Sequence, residues 1–94
     1  MPIFKQIATI TADDQWTDSV KMIGDFNVSI SGTWNNSIVT TQRQFDEDGT
    51  WLDVDTFEEN TEIVGHEPEK GVLYRIGVKA GDFGGGSIEV RLSR

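Results

Sequence analysis

Between Phe26 and Gly32 apolar and polar residues alternate: Phe26, Val28 and Ile30 share one side, and Asn27, Ser29 and Ser31 share the other. Side chains along a strand point to opposite faces in turn, so a period of two makes a strand with one buried and one wet face. A helix would scatter the same residues around its circumference. Gly32 closes the run. Upstream, Ile3 to Thr11 is rich in β-branched residues and predicts a first strand or N-terminal arm, and Asp13, Asp14 and Gln15 break it before Trp16. Trp16 to Ile23 is ambiguous, because Trp16, Val20 and Ile23 also fit a helical face; it is read as strand.

Ser37 to Phe45 and Thr50 to Phe57 face each other across Asp46-Glu47-Asp48-Gly49, whose glycine can take the positive φ of a hairpin bend. Thr61 to Glu67 reads as a shorter strand ended by Pro68, which has no N–H to give a central ladder. Val72 to Lys79 and Ser87 to Leu92 form a last predicted hairpin, with Gly81, Gly84, Gly85 and Gly86 as its flexible tip. About seven or eight short strands with regular turn signals predict an all-β fold, a single antiparallel β-sandwich of immunoglobulin-like or jelly-roll-like kind. Residues 1–94 read as one domain without linker or repeat.

The chain has three Trp, five Phe and one Tyr for a core, and no Cys. Disulfides, thiolate nucleophiles and thiolate metal sites are thereby excluded. Sixteen acidic against eight basic residues leave a net charge of −8, which repels a phosphate backbone, so nucleic acid is not an expected partner. Met1 to Thr11 lacks the apolar stretch of a secretion leader and no run of about 20 apolar residues occurs, so synthesis in the cytoplasm without a membrane anchor is expected.

Candidate chemistry is sparse, and no enzyme is expected. His66 is the one histidine, beside Glu67 at a strand end, and no serine sits in a nucleophile elbow. Asp46 and Asp48 before Gly49 resemble the opening of a calcium loop, without the later Glu and flanking helices that such a loop needs; they are weak calcium candidates, and turn formation explains them as well. Asp53 and Asp55 read as a solvent-facing acidic pair. Trp34 and Trp51 suit either the core or a sugar-stacking platform. The glycine-rich stretch 81–86 lacks the helix and Lys of a phosphate cradle. No cofactor is expected.

Phe26-Asn27-Val28-Ser29-Ile30-Ser31-Gly32-Thr33-Trp34, then Gln42-Arg43-Gln44-Phe45-Asp46 before Gly49-Thr50-Trp51, resembles a group of small virion proteins of tailed bacteriophages. The segments Glu67-Pro68-Glu69, Gly71-Val72-Leu73-Tyr74-Arg75-Ile76-Gly77-Val78-Lys79 and Gly81-Asp82-Phe83 are similar to that group's C-terminal region, as is Gly86 to Ser93. The likeness spans residues 16–94. Where members of the group often have Ser after the hairpin arginine and Gly-Gly at its tip, this chain has Gln44 and the more acidic Asp46-Glu47-Asp48-Gly49.

The resemblance implies a structural protein of the virion, made in the host cytoplasm, and a decoration or cement protein that binds the major capsid protein or another virion protein. Such proteins are expected as homo-oligomers, a trimer foremost, with the outer edges of the first and last strands as subunit contacts. Ile3 and Phe4 near the N-terminal arm and Phe83 in the glycine-rich loop are the expected contact residues. The alternatives are a carbohydrate- or receptor-binding module of a tail or fibre, using Trp34, Trp51 and the hairpin aspartates, and a tail or neck assembly component.

Overall fold

The computed structural model describes residues 4–46 and 49–94. The described residues form seven strands: β1 (Lys5–Ile10), β2 (Gln15–Trp16), β3 (Val20–Gly32), β4 (Val39–Gln44), β5 (Leu52–Phe57), β6 (Thr61–Val78) and β7 (Ile88–Ser93). Every pairing is antiparallel, in the order β1-β7-β3-β6-β4-β5, with β2 also against β6. Trp16 to Ile23 therefore belongs to strands and their connection, not to a helix.

One continuous sheet becomes a sandwich because its two longest strands bend together. Met22 on β3 opposes Val72 on β6, yet Gly24 opposes Glu67, so Pro68 to Gly71 bulge out against the single residue Ile23. Gly24 and Gly71 have φ of 70° and 88°, a region that a side chain penalises and that glycine enters freely. Beyond the bend the halves face each other. Phe26 pairs in register with Gly65, but its ring centroid lies 4.9 Å from that of Tyr74 on the other half of β6, a contact that requires the sheet to fold over. One layer holds β2, the start of β3, the second half of β6, β4 and β5; the other holds β1, β7, the rest of β3 and the first half of β6. Ile10, Met22, Ile30, Val39, Ile76, Ile88 and Leu92 fill the space between them and are wholly buried.

Three local expectations are corrected. Pro68 does not end a strand; it lies in the bulge of an 18-residue strand, where β3 asks for no N–H from it. The last two strands do not form a hairpin: β7 leaves β6 and inserts between β1 and β3 in the opposite layer. The last strand is consequently interior, and the outer edges of the sheet belong to β1 and β5. The glycine-rich connection is not a free tip either. Its Gly84 N–H donates to Ser37 Oγ at 2.7 Å, and a Cβ on Gly84 would stand 1.8 Å from the Asn35 carbonyl oxygen. Glycine is needed there because two backbones touch.

Candidate functional site

Gly77 on β6 pairs with Trp16 on one side and with Thr40 of β4 on the other, so β6 carries its outward-facing Arg75 between two neighbouring strands. Two indoles close over that guanidinium: its carbon lies 4.1 Å from the Trp16 ring centroid and 4.4 Å from that of Trp51. Arg75 Nε donates to Gln42 Oε1 at 2.9 Å, Gln42 Nε2 donates to Asp53 Oδ1 at 2.9 Å, and Lys79 forms an ion pair with the same carboxylate. Burial pulls the Arg75 pKa down from its ordinary value while Asp14 opposes the change, and Lys79 and Gln42 hold the Asp53 carboxyl below its usual range. The ladder ties β2, β4, β5 and β6 together on the outer face. Trp51 thus lies neither in the core nor with both ring faces open. Its replacement by Ala should lower stability by about 1–2 kcal/mol, read as a melting-temperature fall of roughly 5–10 °C, through lost cation–π contact and lost apolar cover.

A second cluster is buried at the bend. Glu67 is 1 % exposed, and its Oε1 accepts from the Tyr74 hydroxyl at 2.7 Å and from Arg43 Nη1 at 2.9 Å, while Oε2 accepts the Glu69 N–H at 2.9 Å. Burial pushes this carboxyl up, but the Tyr74 hydroxyl, the Glu69 amide and Arg43 overcome that push and leave it below its ordinary value. Burial beside Glu67 drives the Tyr74 hydroxyl up to about 12. The Tyr74 hydroxyl, Arg43 Nη1 and the Glu69 amide all find their acceptor in this one carboxylate, which makes the cluster a fastener for the bulge.

The residues singled out by sequence are spread around the molecule. Phe4 packs against the core beneath Arg94, whose guanidinium carbon is 4.1 Å from the ring centroid, and its carbonyl accepts the Arg94 N–H. Phe83 also packs against the core, and its N–H donates to Asp13 Oδ1 at 2.9 Å. Trp34 does the same with its ring, and its Nε1 donates to Asn60 Oδ1 at 2.8 Å. The Asp46 carbonyl accepts the Gly49 N–H, as a turn requires, and among the described residues no group of three His, Asp or Glu is placed to hold a metal ion. Ile3 and Asp48 lie outside the described residues. His66 pairs at 2.9 Å with Asp25 on an open surface.

Sequence reasoning also missed a cleft. On one side the sandwich is open, with β5 of one layer facing the first half of β6 in the other. A cleft of about 50 Å³ lies between them, lined by Val54 and Phe57 of β5, Ile63 and Gly65 of β6, and Phe26, Val28 and Tyr74 at its floor. Of these, Val54 is 47 % exposed and Ile63 40 %. The chain matches no family model, no curated protein and no solved structure. Any functional reading therefore stands on geometry and on the resemblance given above. Val54 and Ile63 carried the signal: apolar residues set within an acidic stretch.

Proposed function

We propose that this domain is a binding module of a tailed-phage particle, a decoration protein that attaches to the major capsid protein or a neighbouring virion protein and reinforces the shell. The observation that carries the reading is the open side of the sandwich, where Val54 and Ile63 expose apolar surface beside two strand edges. Water-exposed apolar surface on a strand edge is stabilised by a protein partner, and each Å² covered contributes about 25 cal/mol. Repeating a modest contact over a lattice turns it into collective resistance to internal pressure. The carbohydrate-binding alternative draws less support from the fold, since Arg75 covers one face of Trp51 and Asn60 and the core engage Trp34.

The test is stoichiometry. Quantitative mass spectrometry of purified particles should find this chain in a fixed, high ratio to the major capsid protein, and particles stripped of it should release DNA at lower temperature. A chain present in a few copies per particle, or one that binds host glycans and leaves head stability unchanged, would refute the decoration role.

A further inference from the structure

Resting on that reading, we propose that the open side seats one extended segment of a partner protein, with apolar and basic residues in alternation, added as a strand along the free edge of β6 at residues 61–66. Three observations combine. The edge is available: among the described residues Thr61 to His66 pair with β3 alone, and β4 reaches only Leu73 to Gly77 of the same strand. The apolar cleft lies directly beside it, walled on the far side by Val54 and Phe57 of β5, itself paired only with β4. An added strand alternates its side chains, so one set enters the cleft over Phe26, Val28 and Tyr74 and the other faces outward.

Charge selects the occupant. Residues 50–65 contain Asp53, Asp55, Glu58, Glu59 and Glu62 and no Lys or Arg. Lys79 already engages Asp53, while among the described residues Asp55, Glu58, Glu59 and Glu62 have no cation partner in this rim, Glu62 accepting only the Ser29 hydroxyl. A basic segment is drawn to such a rim and an acidic one repelled. A second copy of this chain, itself at −8, is disfavoured for the same reason.

The 94-residue chain would be titrated by calorimetry with two peptides of about nine residues, one alternating Lys and Val, the other Glu and Val. The wild type should bind the basic peptide tenfold or more tightly than the acidic one, and added salt should weaken that binding. Ile63→Lys and Val54→Lys change exposed positions, so circular dichroism should show an unaltered fold while affinity for the basic peptide falls at least tenfold. Equal affinity for both peptides, or basic-peptide binding untouched by both variants, would overturn the inference. So would concentration-dependent self-association abolished by Ile63→Lys, because the occupant would then be a second copy. If the chain binds particles but neither peptide at millimolar concentration, the cleft inference fails and the virion role stands. If the basic peptide binds as described but particles do not, the cleft is upheld and the virion role fails.

Discussion

Replacing Glu67 with Ala should destabilise the domain by about 3–5 kcal/mol, the cost typical of removing one member of a buried, hydrogen-bonded charge group. The substitution strands the Tyr74 hydroxyl in the core, releases the Glu69 N–H and leaves Arg43 without its carboxylate, all at the bulge that turns β6. An unpaired buried hydroxyl alone costs about 1–3 kcal/mol. Glu67→Gln separates charge from shape: it keeps an acceptor for Tyr74 and nearly the same volume, so its loss should be smaller, about 1–2 kcal/mol. Denaturant unfolding of both variants at neutral pH measures the difference. Equal losses would mean that charge, not packing and hydrogen bonding, carries the cluster.

The same cluster sets limits in acid and in alkali. Glu67 titrates below its ordinary value of 4.5 in the folded chain, so its stabilising contribution is complete above that value and fades as pH falls through the lower folded one. Tyr74 behaves oppositely. Its pKa rises from 10.0 to about 12, so its contribution is complete below 10.0 and is lost as pH climbs towards 12. Glu67→Gln should flatten the acid limb of the stability profile, which separates this carboxylate from the other acidic groups of the chain.

Much of the fold was legible because burial on one face of a strand leaves a period of two. Phe26, Val28 and Ile30 are buried as their alternation requires, and β4 and β5 pair as the segments around Asp46 to Gly49 suggest. The errors occur where one residue type serves two physical purposes. Proline marks strand ends because it lacks an N–H, but a bulge removes the demand for one, so Pro68 rides inside β6. Glycine marks mobile tips because it lacks a side chain, but the same lack permits the close approach of Gly84 to Asn35, and β7 is thereby led into the opposite layer. The Arg75 ladder was hidden for another reason: Trp16, Gln42, Trp51 and Arg75 come from four separate segments, and only register brings them together. One signal was present. Tyr74, Ile76 and Val78 alternate inward, which forces Arg75 outward at the middle of a strand, where a charged side chain finds cover from its neighbours.

Gly77→Ala adds a single methyl group and should cost about 2–4 kcal/mol. An added Cβ would stand 2.1 Å from the Gln15 carbonyl oxygen and 2.7 Å from the Trp16 Cα, both backbone atoms that no rotamer change can move aside. To accept it, β2 must withdraw from β6. That displacement loosens the Gln15↔Val78 and Trp16↔Gly77 pairings, the bond from Thr17 N–H to the Ile76 carbonyl at 2.9 Å, and the bond from Ile76 N–H to Thr17 Oγ1 at 3.1 Å. Overpacking costs about 1–3 kcal/mol and each lost hydrogen bond about 1 kcal/mol, which sets the range. Trp16 then leaves Arg75, so its fluorescence should shift to the red as the indole meets water. Gly71→Ala supplies the contrast. Gly71 has φ of 88° with no atom within 4 Å of the added Cβ, so its cost is backbone strain alone, about 1 kcal/mol, with fluorescence unchanged. A Gly77→Ala protein as stable as the Gly71→Ala one, with unshifted emission, would show that β2 does not press on β6 and that the ladder closes over Arg75 from the Trp51 side alone.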